Sequence, residues 1–352
     1  MNILLIANEL KYTCGVTNHL LHLSRGLSQD PAKKIYIICG GGNGTNRFND
    51  IDSEISVNEN FLHEKRNPVN YLSAGKFLKK FIKDKQIDII HSHSHYAANI
   101  ARKSAGKIPT IQTNHGLLAE KGKLKHFNAD KYIAINEHIY DYLVNNKITS
   151  ESNISLIRCG IPVPGSPPVK NNKKLKIIAA SRFVKEKGLD IFIRAAGMLN
   201  KNLKEKAEFY IAGEGELENE LEYLSKYTDA GITFLGSVKD IYKTLSETDV
   251  LVFSSRSGSE GFPAIITEAG ANNNLVITSD FSALGNMIEN NINGLVFKQN
   301  DKKLLSGILE QVILSPAEYK PLAENFYNKV KKLFSIDEML SKHSKLYNEC
   351  LN

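Results

Sequence analysis

The chain has 352 residues, 42% of them hydrophobic, enough to bury a sizeable interior and, at about 150 residues per domain, to form two domains. Four cysteines at 14, 39, 159 and 350 make no CxxC pair and lie too far apart for a zinc knuckle, which excludes a disulfide scaffold and predicts reduced thiols. The formal charge of +7 is lopsided: residues 1–165 hold 21 Lys and Arg against 14 Asp and Glu, residues 166–352 hold 24 against 24, and nine of the ten histidines lie in the first half. Two domains with different ligands follow from that asymmetry.

In chain order, Ile3–Ala7 is an apolar run too short for a signal h-region, and no later run reaches membrane-spanning length, so a cytoplasmic protein is expected. A helical pattern from Asn18 to Leu27 follows, then a strand at Ile35–Cys39, a helix over Val69–Lys83, and a strand from Ile87 to His91. Ala97–Ala105 reads as helix, Thr110–Thr113 and Tyr132–Ile135 as strands, Glu137–Asn145 as helix and Ile154–Ile157 as strand. Cys159 to Lys174 contains four of the ten prolines and reads as an interdomain linker. The pattern then restarts: strand Lys176–Ala180, helix Gly188–Asn200, strand Glu208–Ala212, helix Leu217–Tyr227, strand Ile232–Leu235, helix Ile241–Glu247, strand Val250–Ser254, helix Pro263–Ala271 and strand Val276–Thr278. Short β-branched runs separated by helical patterns predict an α/β protein with two successive Rossmann-like halves, each around a parallel sheet. The domains are expected at residues 1–160 and 176–330, joined by a linker at 161–175, with a C-terminal helix at 331–352 crossing back to the first.

Ligands in such folds bind beyond the carboxyl ends of strands, so the loops there carry the candidates. Arg182 and Lys187 lie in Ala180-Ser-Arg-Phe-Val-Lys-Glu-Lys-Gly188, between a strand and a helix, where a guanidinium fork and a mobile ammonium suit a diphosphate. Glu260 and Glu268 bracket a segment in which Pro263 can open a helix, leaving the backbone amides of Gly261 to Ile265 for an anion or a hydroxyl. That helix is largely apolar, so Glu268 needs a polar partner such as a ribose. In the first half, Gly15 precedes the first helix and permits close backbone approach to a phosphate, while Asn18 is a possible cap.

These segments, with Gly213-Glu-Gly-Glu, Ile232-Thr-Phe-Leu-Gly236 and Asn293-Gly-Leu-Val-Phe, resemble the donor half of glycosyltransferase family 4, and the resemblance extends more diffusely over the rest of the chain. It implies the GT-B fold, with two Rossmann-like domains facing a central cleft, and retaining transfer from a nucleotide diphosphate sugar without an essential metal. Carried over by residue, it implies that Arg182 and Lys187 hold the diphosphate, Glu260 the sugar hydroxyls and Glu268 the ribose. The amides of Gly261, Phe262, Pro263 and Ala264 are implied to complete the sugar and phosphate contacts, wherever an amide hydrogen exists, and the loop at Gly236 and Val238 to flank the base. His115 is implied to stand beside the donor sugar. The family usually has two adjacent glycines where this chain has Cys14-Gly15.

His91-Ser-His-Ser-His95 sets three imidazoles on one face if the strand continues, and His91 and His93 are candidate acceptor-side residues. A zinc site there is not expected, because its ligands should come from separate elements and no Cys or carboxylate is spaced to join. Asp50-Ile-Asp52 has the form of a GT-A metal motif without that fold's layout, and Gly40–Gly44 fails the dinucleotide fingerprint. The stretch Lys76–Lys85, with Phe77, Leu78 and Phe81 on one side and five lysines, reads as a half-buried helix whose basic face suits an anionic membrane. No nucleic-acid partner is expected, since no binding module is evident. The expected activity is a UDP- or GDP-sugar-dependent transferase acting on a cell-surface glycan or lipid-linked sugar; alternatives are a hydrolase or epimerase of the same fold, or a non-catalytic sugar-binding protein.

Overall fold

Runs such as Ile3-Leu-Leu-Ile6 and Val250-Leu-Val-Phe253 are apolar on both faces, which suits strands covered by helices on either side. A computed structural model describes residues 1–12, 14–117, 129–256, 263–281 and 287–351. The chain divides into two units, Met1–Ile161 with Phe334–Asn352, and Pro162–Leu333.

The first unit contains β1 (Asn2–Ile6), α1 (Gly15–Leu27), β2 (Lys34–Cys39), β3 (Ser53–Val57), α2 (Pro68–Lys85), β4 (Ile89–Ser92), α3 (His95–Ser104), β5 (Thr110–Asn114), β6 (Lys131–Ala134), α4 (Glu137–Asn145) and β7 (Ile154–Leu156). Its strands pair in parallel in the order β3-β2-β1-β4-β5-β6-β7. One sheet face packs Ile3, Leu5 and Ile37 against Leu20 and Leu23 of α1; the other packs Leu4, Ile6 and Ile38 against Leu78 of α2 and Ile100 of α3.

The second unit contains β8 (Leu175–Ala180), α5 (Leu189–Gly197), α6 (Lys201–Lys206), β9 (Ala207–Ala212), α7 (Glu218–Tyr227), β10 (Ile232–Phe234), α8 (Ile241–Ser246), β11 (Val250–Phe253), α9 (Ala264–Ala271), β12 (Leu275–Ser279), β13 (Leu295–Phe297), α10 (Lys302–Leu314) and α11 (Lys320–Leu333). Its parallel order is β10-β9-β8-β11-β12-β13. The final helix, α12 (Ile336–Leu351), belongs to the first unit, where Met339, Leu346 and Tyr347 join the core beside α1.

Several boundaries differ from the sequence expectations. Helix α1 begins at Gly15, and Asn18 lies inside it, its side chain accepting from Arg47 at 2.7 Å instead of capping. The expected helix Gly188–Asn200 ends at Gly197, because Asn200 caps a separate helix by accepting from the Leu203 amide at 3.1 Å. Pro263 is the residue before α9, not its first helical residue. Strand β4 stops at Ser92 and His95 opens α3, so the three imidazoles do not share one strand face. Strands β3 and β13 and helices α10 and α11 escaped the period-based reading; β3 is an edge strand with partial burial, held by pairing with β2.

The proline-rich stretch is fastened to the second unit: Tyr327 donates to the Pro164 carbonyl at 2.6 Å, and the Asn172 amide to Asp249 at 2.9 Å. Helix α2 buries Leu78, Phe81 and Ile82 while Lys76, Lys79, Lys80 and Lys83 remain exposed. Among the described residues, no helix is long and apolar enough to cross a membrane.

Candidate active site

In each sheet the strand order reverses once, between β1 and β4 in the first unit and between β8 and β11 in the second. Neighbouring loops diverge at such a point and open a crevice at the carboxyl ends of the strands.

In the second unit the crevice is bounded by the loop after β8, which carries Arg182 and Lys187. Arg182 is exposed and Lys187 half-buried, its ammonium 5.9 Å from the centre of the Phe253 ring at the end of β11. Gly188 ends this loop with φ +63°, and a Cβ there would lie 2.1 Å from the Ser254 carbonyl, so only glycine lets the two loops close. The Ser254 hydroxyl donates to the Gly188 carbonyl at 2.8 Å. Arg256 completes the clamp with two 2.7 Å bonds to the Asp190 carboxylate and a 3.0 Å bond to the Lys185 carbonyl. Sequence reading missed Arg256 and Asp190, since an arginine 66 residues from its carboxylate carries no local signature.

Next along the sheet edge, Gly213 follows β9 with φ +137°, where a Cβ would lie 1.9 Å from the Ser181 carbonyl. Its amide donates to the Gly236 carbonyl at 2.8 Å, which sets the Gly236–Val238 loop beside the loops that bear Gly213 and Arg182. On the other side, α9 opens with Ala264 after Pro263, with no side-chain cap and no acidic residue in its first turn. Among the described residues no side chain caps its first amide donors, which suits an incoming anion.

Glu268 lies one turn into α9, half-buried at the surface but enclosed around its carboxyl group, and burial pushes its pKa up to about 7. Tyr242 of α8 faces it and is itself shifted upward, first by burial and then by the Glu268 charge. Glu260, Gly261 and Phe262 lie outside the described residues.

In the first unit, Gly15 is the first residue of α1, with open space where a Cβ would project, and α1 has neither a side-chain cap nor an acidic residue in its first turn. His115 follows β5 and keeps an edge at the surface; its Nε2 is 3.1 Å from Nδ1 of His93, which follows β4. His19 of α1 packs edge-on against His115, ring centres 4.9 Å apart. One ring nitrogen from each of His19, His93 and His115 falls within 4.8 Å of the others. Burial lowers all three pKa values, to about 3 for His115 and well below the ordinary range for His19 and His93.

His91 corrects the expectation of an acceptor contact. It is fully buried, with Nδ1 2.7 Å from the Tyr347 hydroxyl and Nε2 2.7 Å from that of Thr113, so neither nitrogen remains for a ligand. The histidines that the sequence reading missed, His19 and His343, sit on helices among apolar residues, where a buried imidazole has no distinguishing sequence signal. Asp50 pairs with Arg25 at 2.8 Å on the surface, and Gly40 and Gly44 donate to the carbonyls of Asn8 and Leu10, so both segments have structural partners.

Residues 13–163 match the model described as Glycosyltransferase Family 4, and residues 166–332 match that of Glycosyl transferases group 1. An α-1,3-N-acetylgalactosaminyltransferase of Campylobacter jejuni, named for an N,N'-diacetylbacillosaminyl-diphospho-undecaprenol acceptor, is 25% identical over 92% of this chain and 93% of its own. A UDP-Gal:α-D-GlcNAc-diphosphoundecaprenol α-1,3-galactosyltransferase of Escherichia coli is 26% identical over 77% of each chain. The crystal structure of a glycosyltransferase from Rickettsia africae superposes with a TM-score of 0.85 at 20% identity, over 99% of this chain and 98% of that one. Two Rossmann-like units in succession, and family models matched in succession along one chain, make this protein a GT-B glycosyltransferase of family 4.

Proposed function

We propose that the protein transfers a hexosyl or N-acetylhexosaminyl group, with retention of configuration, from a UDP- or GDP-sugar to a lipid-linked sugar or a cell-surface glycan. The observation that carries this reading is the crevice between β8 and β11, where Arg182 and Lys187 stand on a loop clamped by Arg256, with the uncapped α9 in the same unit. As the glycosidic bond breaks, positive charge develops at the anomeric carbon and negative charge on the departing diphosphate. A guanidinium, an ammonium and fixed amides stabilise that diphosphate without reorganising.

Glu268 accepts the ribose hydroxyls, and the Gly236–Val238 loop flanks the base. In keeping with the family resemblance, Gly15 and the amides at Gly261, Phe262 and Ala264 contact phosphate and sugar, Pro263 shapes that turn, and Glu260 and His115 contact the donor sugar. The reaction uses no essential metal, and the leaving phosphate assists attack by the acceptor on the same face. The undecaprenol-linked acceptors named for the two relatives favour a lipid-linked acceptor here. The exposed lysine face of α2 then rests on anionic lipid.

Thermal stabilisation by a panel of sugar nucleotides, followed by donor turnover with and without diphospho-lipid-linked sugars, tests the reading. Stabilisation by one nucleotide diphosphate sugar and acceptor-dependent product of retained configuration are expected. Acceptor-independent release of the sugar at the full rate, or product of inverted configuration, contradicts it.

A further inference from the structure

Three histidines of the first unit bring ring nitrogens close together. His19 comes from α1, His93 from the end of β4 and His115 from the end of β5, so three separate elements converge on one point, as metal ligands should. The 3.1 Å between His93 Nδ1 and His115 Nε2 is close to the separation of about 3.3 Å between two nitrogens bound at tetrahedral zinc distances. A ring nitrogen of His19 lies within 4.8 Å of a nitrogen of each of the other two.

Both ring nitrogens of His19, a residue only 2% exposed, are buried with no hydrogen-bond partner, and one of them can face the ion. Buried polar atoms without partners are rare, and each calls for a ligand or another explanation. Among the described residues no Cys, Asp or Glu joins the group, which the rings of His91 and His343 adjoin, so the donor set is three neutral imidazoles. Three nitrogens suit zinc or cobalt and not magnesium or calcium, which take oxygen ligands.

We propose that His19, His93 and His115 together bind one divalent transition ion of the zinc class, with water in the fourth position on the surface side of His115. The ion is an inhibitor, not a participant in transfer, because it occupies the imidazole of His115. This last step rests on the reading of His115 as a donor-sugar contact; the binding of the ion does not.

Titration of the metal-free full chain with Co2+ tests the site, read by the visible absorption of tetrahedral cobalt and by competition with Zn2+. One ion per chain is expected, with a rise in melting temperature, and His19→Gln should weaken binding by about 100-fold or more and abolish that rise. If His19→Gln does not fold, His115→Gln at the surface edge is the second variant, with the same expectation. Wild-type affinity weaker than about 0.1 mM, or undiminished affinity in a folded variant, overturns the site. Zn2+ at saturation should suppress transfer while Mg2+ does not. Zinc that binds the triad but leaves transfer untouched overturns the inhibitory step alone and separates it from the site itself.

Discussion

Arg182 is exposed and has few packing partners to lose, so its removal tests function with little effect on folding. Arg182→Ala is expected to cut transfer by about 100-fold or more, as loss of charge stabilisation at a leaving group does, with the melting temperature nearly unchanged. Lys187→Ala should behave alike in steady-state assays; near-normal turnover in either variant contradicts the diphosphate assignment. Glu268 makes a prediction of the opposite kind, because its site disfavours the charged form. With its pKa raised to about 7 from 4.5, the folded state holds a proton that the unfolded state releases, so this residue costs stability progressively as pH rises from about 4.5 to 7. Glu268→Gln should therefore be more stable than the parent at pH 8, by about 1–3 kcal/mol, and indistinguishable from it near pH 4. Denaturant melts at the two pH values check the sign, and weaker nucleotide binding by the same variant checks the ribose contact.

Elements, not isolated side chains, place these groups. The loop after β8 has little regular structure of its own, and its shape is imposed by β11 through the Ser254–Gly188 contact and by Arg256 through Asp190 and the Lys185 carbonyl. Since the pair is only partly exposed and bidentate, Arg256→Ala should cost about 1–3 kcal/mol and leave the Asp190 carboxylate without its partner. The functional consequence expected is a KM for the donor raised about tenfold by a looser loop, with a smaller change in kcat. Donor-concentration series on the variant measure that split, and an unchanged KM would show that the clamp does not position the loop. The elements themselves were largely readable: strands such as Ile35–Cys39 and helices such as Glu137–Asn145 have strong patterns and short bounded lengths. Strand β3 was not, because Ser-Glu-Ile-Ser-Val is held by the neighbour it pairs with and has no strong apolar period of its own.

Across the whole molecule, the two units differ in charge and in titration. Six of the seven excess positive charges fall in the first unit, as do the buried His19, His91, His93 and His343 and the half-buried His115, and burial lowers the pKa of all five. A histidine held neutral in the fold but free to protonate when unfolded supports stability above about pH 6.5, and that support is lost as pH falls from there toward the folded pKa, about 4 for His343. The first unit is therefore expected to lose stability steeply between pH 6.5 and 4 while the second retains more of its own. Hydrogen exchange across that range, resolved by segment, distinguishes this from uniform acid unfolding.

The sequence by itself determined the α/β alternation, two Rossmann-like halves, the basic first half and which loops follow the strands, because strand and helix periods and loop glycines are local properties. It also placed Arg182 and Lys187 in the loop after a strand and Glu268 inside a helix. What only the tertiary structure decided was which distant residues meet. Arg256 finding Asp190, Tyr242 facing Glu268, His91 spent on Tyr347 and Thr113, and His19 joining His93 and His115 all depend on strand order and helix packing. Those contacts join positions tens to hundreds of residues apart, and the periodicity of a single segment carries no record of its partner across the fold.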